Sequence, residues 1–378
     1  MSKFAVGGFG DDSSDEERSV VESSSEEEEI EENYVEVNDN DDWSTVTTKP
    51  KVWKKKVTID LRSACFKEEP TEEVLTNVIN RGQFVTNTIV NTTNTTTFTE
   101  VEHGPRILVD REPKFKISKV APKPYPLEQY NKFSMEMYKN IDNNIYDMII
   151  SCGCMISIMR SFEENAATDY YSTDFSLNIK TIGSKLYIMD NNEYDMTPAY
   201  GYDFCEKMTN IRNNTNNNEN QVESESESNT EANDNNGTGT GTGAHFYRRM
   251  TYNLGDLSLL LASEVDCVDE NDESISLKSY NRKYKPRLTD YWYQLVLSNT
   301  KQLITGARTH NGEVVGLKQQ SVVDVAPEDH LSRLNQLKHV LCWIKTQMAL
   351  YPTSEEATFN YSTRYPTQFS LSLTIPNA

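Results

Sequence analysis

The sequence predicts an α+β protein with a single folded domain behind an acidic tail. Three observations lead to this prediction. Apolar residues alternate with polar ones at residues 175–189 and 253–278, as in strands. They recur every three or four residues at 127–141 and 331–349, as in helices. The negative charge is concentrated at the N-terminus, whereas the apolar patterns begin only after it.

The acidity of the chain belongs mainly to its first 44 residues. They contain sixteen Asp and Glu residues but only Lys3 and Arg18, so they carry −14 of the net charge of −21 and leave −7 for the remainder. A segment with so much like charge cannot bury enough apolar surface to fold, so residues 1–50 are predicted to be a disordered acidic tail. The folded part lacks the basic character of an indiscriminate nucleic-acid binder.

Cysteine usage and hydropathy favour a soluble intracellular protein without a membrane partner. The six cysteines form no CxxC pair, so we expect reduced thiols. No apolar run reaches the roughly 18 residues of a membrane span, and the N-terminus lacks a signal region. The basic island at 49–56 (KPKVWKKK) indicates a nuclear rather than a cytoplasmic location, or else pairs with the acidic tail.

The elements before residue 210 are predicted in chain order from these patterns. Residues 57–61 read as a strand, and 84–99 as a strand or a polar loop. Helices are predicted at 127–141 and, buried, at 145–159. Residues 175–189 should form a hairpin around Gly183, and a further helix should begin at Tyr200.

A low-complexity insertion at 212–244 interrupts the domain, which otherwise runs from 51 to 378. Its Asn, Glu-Ser and Gly-Thr repeats have nothing to pack, and lengthening a loop costs only logarithmically, so both flanks can share one domain. Beyond residue 279 we expect an aromatic helix, strands at 301–308 and 312–318, a helix at 331–349 and a last strand at 369–375.

Acidic and basic side chains meet in the strand pair predicted at 253–278. Alternation places Glu264 and Asp266 on one face, and Ser276 and Lys278 on one face of the next strand. Carboxylates suit Mg²⁺ or Mn²⁺, and a lysine can stabilise charge developing on a phosphate, which indicates a metal-dependent phosphodiester hydrolase. The alternative is an ordinary acidic surface turn.

Cations alternate with aromatic residues at 279–294, which suits either an RNA strand or a helix with a buried aromatic face. We assign Trp292 and Tyr293 to the core, and the basic residues Lys283, Lys285 and Arg287 to phosphates.

These residues resemble the DXO family of decapping exoribonucleases over about residues 140–345. The resemblance rests on residues 264–267 (EVDC), Leu277-Lys278, a helix holding Gln294 and residues 306–308 (GAR), with a weaker upstream match at 201–204. It implies a central mixed β-sheet of the PD-(D/E)XK nuclease type flanked by helices. It also implies RNA 5′ ends as ligand, a Mg²⁺ or Mn²⁺ cofactor and a possible 5′–3′ exoribonuclease partner.

The resemblance implies a role for each matched residue. Asp266 would bind the metal directly, Glu264 would hold a metal-bound water, and Glu206 and the Leu277 carbonyl would complete the metal shell. Lys278 would orient the attacking water. The remaining residues would line the site or lie near the RNA: Gln294, Lys285, Arg287 and Arg308.

Three departures from the family pattern leave two functions open. Ser276 stands where the family has glutamate, Cys152 where it has arginine, and Glu206 one residue later than expected, a rotation of about 100° on a helix. The chain is then either an active hydrolase of incompletely capped, triphosphorylated or NAD-capped RNA, with or without 5′–3′ exonuclease activity, or a degenerate homologue that binds RNA ends or a partner. Ser276 beside Asp266 without a substitute carboxylate would favour the second function.

Overall fold

A computed structural model describes residues 28–29, 52–60, 74–89, 95–120, 145–163, 174–190, 198–211, 244–365 and 367–376. Within these ranges the chain forms two mixed β-sheets and four α-helices, which confirms the predicted α+β class. One central sheet was predicted, and the structure contains a second, larger sheet beside the one that carries the predicted site.

The larger sheet has eleven strands among the described residues. In order of pairing they are β1 (Glu28–Glu29), β2 (Val52–Asp60), β18 (Gln368–Pro376), β17 (Glu356–Tyr361), β8 (Phe175–Ile182), β9 (Lys185–Asp190), β7 (Met148–Ile150), β12 (Leu257–Glu264), β11 (Ala244–Leu254), β3 (Leu75–Ile89) and β4 (Thr95–Val101). Strand β7 runs parallel to both neighbours, and the other pairs are antiparallel.

The smaller sheet has seven strands over the same part of the chain. In order of pairing they are β10 (Thr209–Ile211), β5 (Arg106–Leu108), β13 (Cys267–Val268), β14 (Ser274–Asn281), β15 (Gln302–Arg308), β16 (Glu313–Ser321) and β6 (Phe115–Lys116). The β5–β13 and β14–β15 pairs are parallel.

In the described part of the chain, the sheets are covered by α1 (Cys152–Arg160), α2 (Tyr200–Lys207), α3 (Leu288–Leu297) and α4 (His330–Leu350). A 3-10 turn, Val323–Val325, precedes α4. The apolar sides of α1, α3 and α4 share the main core with the larger sheet and with Leu303 of β15. Helix α2 packs on the smaller sheet in a second cluster around Phe204. The predicted burial of Trp292 and Tyr293 is confirmed.

Most element predictions after residue 170 are confirmed, whereas the predicted helix at 145–159 is wrong over residues 145–151 and right from Cys152 onward. The hairpin β8–β9 turns at Gly183, whose φ of 63° favours glycine. Residues 148–150 form the buried strand β7 between β9 and β12. A short apolar run has the same appearance in a buried strand and in a buried helix, so periodicity could not separate them.

The strand predicted from Asn253 is also corrected, because the chain changes sheets within it. Asn253 is the penultimate residue of β11, which ends at Leu254; the turn at Gly255 has a φ of 59°, and β12 follows. After Glu264 the chain leaves the larger sheet and enters the smaller one as β13. Glu264 and Asp266 therefore lie at the junction of the two sheets.

Several predictions fall on residues outside the described ranges: the acidic tail apart from Glu28–Glu29, the helix at 127–141 and the insertion, of which only Ala244 is described, as the start of β11. The backbone of Glu28–Glu29 pairs with Lys54 and Lys55 of the basic island. From residue 52 this island lies within β2, which pairs with β18. Across the described residues, no helix has the length and apolarity needed to span a bilayer.

We expect Gly306→Ala to lower the free energy of unfolding by about 1–3 kcal/mol, because the smaller sheet and α2 touch at this glycine. An added Cβ would lie 2.5 Å from Phe204 Cε2 and 2.7 Å from Phe204 Cζ. Urea denaturation measures the change. The matched control is Gly316→Ala on the neighbouring β16, where a Cβ would meet open space. Equal stabilities of the two variants would contradict this account.

Candidate functional site

The predicted acidic–lysine site lies where strand β14 loses its neighbour. On the β14 side, strand β13 pairs with Ser274 and Ile275 and ends there. Two residues beyond Ile275, the strand partner is replaced by the Asp266 side chain, whose Oδ2 accepts a hydrogen bond from the Leu277 backbone N–H at 2.8 Å. The open edge of β14 therefore presents backbone groups to a side-chain site.

Asp266 Oδ2 also accepts two side-chain hydrogen bonds. The Ser276 hydroxyl donates at 2.9 Å, and the Lys278 ammonium donates at 2.9 Å in a charge-assisted contact. The structure thus brings together Asp266, Ser276, Leu277 and Lys278, as the sequence predicted. Three donors converge on one carboxylate oxygen, so this oxygen is engaged by the protein itself.

Lys278 remains positively charged because carboxylates surround it. Burial would lower the pKa of its ammonium, but the negative charges of Asp266 and Glu264, together with Cys205, outweigh burial and raise that pKa. Glu264 is exposed at the end of β12, within electrostatic range of Lys278. Both predicted carboxylates therefore lie around one lysine, although they come from different sheets.

Helix α2 turns Cys205, and not Glu206, toward the site. The Cys205 Sγ lies 4.0 Å from the Leu277 carbonyl oxygen, whereas Glu206 is exposed. A one-residue step rotates a helical side chain by about 100°, so the position of Glu206 does not support its predicted role in the metal shell. Burial, reinforced by the charge of Asp266, holds the pKa of the Cys205 thiol well above its ordinary value. The group beside the Leu277 carbonyl is therefore a neutral thiol.

Cys152 supplies another neutral thiol near Lys278. It is the first residue of α1 and is buried beside Ser263. Burial raises the pKa of its thiol to about 12, although Ser263 and Lys278 oppose the rise. Cys152, Cys205 and Ser276 thus surround the Lys278–Asp266 pair with uncharged side chains, at the three places where the sequence departs from the family pattern.

Helix α3 covers the lysine side of the site. Burial raises the pKa of the Tyr291 hydroxyl, and the nearby Lys278 opposes that rise. Gln294, predicted to line the site, follows Tyr291 by three residues and so lies on the same side of the helix. Tyr291 was not predicted as a site residue, because nothing in the sequence but its place in an aromatic cluster distinguishes it.

The predicted RNA-binding cations lie in three different environments. Arg287 contacts Asp290 at 3.3 Å and Glu163 at 3.9 Å, so it belongs to a network that joins α1 and α3. The Arg308 guanidinium stacks 3.8 Å from the ring centre of Tyr200, toward α2 and not toward the Lys278 side of the sheet. Lys285 is exposed in the loop after β14.

The residues at the site do not fit the Mg²⁺ or Mn²⁺ centre that the resemblance implies. In the part of the chain that the structure describes, no three or more His, Cys, Asp or Glu side chains are grouped so that they could hold a metal ion. Hard divalent cations prefer charged oxygen ligands, whereas Ser276 is a neutral hydroxyl that donates a hydrogen bond to Asp266, and Cys205 is a neutral thiol. The Glu273 carboxylate is no substitute, because it contacts Lys301 at 3.8 Å.

Comparison with known proteins relates the chain to a group of nucleases. Residues 129–374 match the family model described as RAI1-like PD-(D/E)XK nuclease. No curated protein matches the sequence significantly.

Among solved structures, S. pombe Rai1 is similar with a TM-score of 0.60 at 16% identity, over 84% of this chain and 99% of that one. A variant of it with three glutamates changed to Ser or Gln, in complex with 3′-FADP, gives 0.59 at 17% identity over the same shares. K. lactis Dxo1 in complex with manganese gives 0.56 at 15% identity over 85% and 98%. Candida albicans Rai1 in complex with pU5-Mn²⁺ gives 0.54 at 13% identity over 84% and 93%. These similarities confirm the PD-(D/E)XK nuclease fold.

Proposed function

This chain belongs to the RAI1-like PD-(D/E)XK nuclease family, and from this membership we propose that it binds RNA 5′ ends with little or no metal-dependent hydrolysis. One observation carries the proposal: the Ser276 hydroxyl and the Lys278 ammonium both donate to Asp266, with a neutral thiol at the Leu277 carbonyl. Ser276 beside Asp266 without a substitute carboxylate favours a degenerate homologue over an active hydrolase.

The same substitutions make the site less dependent on a metal ion for binding phosphate. Two positions that would carry glutamate in the family pattern carry Cys205 and Ser276, so two negative charges that would repel a phosphate are absent. The Lys278 ammonium has three donors, of which Asp266 engages one. A phosphate at the 5′ end of an RNA can accept from the others.

The ligand class is supported by two relatives. Candida albicans Rai1 was solved with pU5-Mn²⁺, and S. pombe Rai1 with three glutamates replaced was solved with 3′-FADP. The second relative shows that binding of a nucleotide-derived ligand survives in this fold after acidic residues are replaced. For this chain we therefore propose binding of a phosphorylated 5′ end, but not binding of a metal ion.

The experiment measures binding and cleavage of the same RNA by the full chain. A 5′-monophosphate and a 5′-triphosphate RNA should bind equally well in EDTA and in Mn²⁺, and should stay intact in both. Lys278→Met should weaken binding on the order of 30-fold or more, because the phosphate loses a partly buried charged donor. Lys180→Met is the matched control, since Lys180 pairs with Glu356 on the larger sheet.

Two results of this experiment would contradict the proposed function. Cleavage that requires Mn²⁺ and disappears in Asp266→Ala would establish an active hydrolase and overturn the proposal. Failure of the wild-type chain to bind either RNA would overturn it as well.

A further inference from the structure

A basic aromatic loop, residues 282–285 (RKYK), directly follows strand β14. All four side chains are exposed, and Tyr284 is 63% exposed. Within the described residues, the cations Arg282, Lys283 and Lys285 form no ion pair with a carboxylate, and the Lys283 ammonium lies 5.6 Å from the ring centre of Tyr284. The loop therefore places three cations without a carboxylate partner among the described residues within two residues of Tyr284 in the sequence, and one of them lies near its ring.

The backbone of this loop is held in place by hydrogen bonds. The Tyr284 N–H donates to the Asn281 carbonyl at 2.9 Å, and the Lys283 N–H donates to the Asn281 side-chain oxygen at 3.0 Å. The Arg282 N–H donates to the Arg308 carbonyl at 2.9 Å, which ties the loop to β15. Because the turn is already formed, binding a ligand there does not cost the entropy of ordering the backbone.

Strand β14 connects the proposed 5′-end site to this loop. Lys278 and Tyr280 lie on one face of β14, and both are within electrostatic range of Tyr291. At about 3.3 Å per residue, Asn281 lies about 10 Å along the strand from Lys278. A short single strand whose 5′ phosphate is at Lys278 therefore reaches the loop within its first few nucleotides.

We propose that the basic aromatic loop binds the nucleotides that follow the 5′ end of a single-stranded RNA. Tyr284 stacks on one base, and Arg282, Lys283 and Lys285 contact phosphates. This inference rests on the proposed function and extends it from a terminal phosphate to a stretch of single strand. RNA is favoured over an acidic peptide, because a base can stack on the exposed Tyr284 ring whereas a carboxylate side chain cannot.

The test compares two 5′-phosphorylated RNAs, a hexanucleotide and a dinucleotide, on the full chain in EDTA. Tyr284→Ala should weaken binding of the hexanucleotide by about tenfold, the loss expected for one stacked base, and leave the dinucleotide unchanged. Replacing Arg282, Lys283 and Lys285 together by Ala should make the slope of log K against log salt shallower by about 2. Tyr365→Ala is the matched control, since Tyr365 is 68% exposed on the β17–β18 connection.

The outcomes separate this inference from the proposed function. If the wild-type chain binds the dinucleotide and loop variants bind the hexanucleotide as tightly as wild type, the inference alone is overturned. The same holds if a polyglutamate peptide, but not the longer RNA, binds in a Tyr284-dependent way. If the wild-type chain binds neither RNA, the proposed function fails and the inference fails with it.

Discussion

Replacing Cys205 and Ser276 together by glutamate is expected to raise the affinity of the chain for Mn²⁺ by about a hundredfold or more. Cys205 lies beside the Leu277 carbonyl, and Ser276 is hydrogen-bonded to Asp266, so both new carboxylates would face the same small volume. The number of charged oxygen ligands sets divalent-cation affinity over several orders of magnitude. Two additional carboxylates should therefore turn a poor site into a good one.

Isothermal titration with MnCl₂ measures the change. Each single substitution should give an intermediate affinity, and adding Asp266→Ala to the double variant should remove the gain. Glu206→Gln in the wild-type chain should have no effect, because the structure places that side chain in solvent. A double variant that keeps the wild-type circular dichroism spectrum but binds Mn²⁺ no better would show that these positions do not face a metal-binding volume.

Arg248→Leu is expected to lower the free energy of unfolding by about 3–5 kcal/mol, because it breaks a buried polar network between the sheets. Arg248 is 9% exposed on β11 and donates to the Ser274 hydroxyl, to Gln83 Oε1 at 3.1 Å and to the Asp272 carbonyl at 2.9 Å. Asp272 in turn accepts from the Gly104 N–H at 2.9 Å. The leucine would leave these buried acceptors without a donor.

Urea denaturation followed by fluorescence measures this loss. The exposed Arg364 provides the control, since Arg364→Leu should change stability by less than about 0.5 kcal/mol. If Arg248→Leu proves as mild as Arg364→Leu, the network is not what holds the β13–β14 turn against the larger sheet.

The parts of the fold that could be predicted are those with a strong local signal. Strands β8 and β9 alternate, β15 and β16 lie on either side of the Asn311-Gly312 turn, and α4 has a helical apolar period. Strand β7 was missed because a strand buried on both faces shows no alternation. The passage of the chain between sheets at Val265 and Asp266 is set by tertiary packing, which a single sequence does not encode locally.

The site shows the same division between local and tertiary information. Alternation correctly placed Ser276 and Lys278 on one face, because both lie on β14, and Asp266 reaches them from the residue directly before β13. The choice between Cys205 and Glu206 depends on the rotational phase of α2 against the smaller sheet, and the packing of Phe204 on Gly306 fixes that phase. The Gly201-Tyr202-x-Phe204 pattern already pointed to position 205, so the signal for Cys205 was present in the sequence.

The change of sheets between Glu264 and Asp266 has a thermodynamic consequence. The charge of Lys278 is stabilised by Glu264, which ends a strand of the larger sheet, and by Asp266, which precedes a strand of the smaller sheet. The free energy of binding a ligand at Lys278 therefore depends on how the two sheets are positioned relative to each other. By linkage, occupancy of the site and cohesion of the domain reinforce each other. Substitutions far from the ligand, at the seam where Arg248 lies, therefore act on affinity through the same equilibrium that governs unfolding.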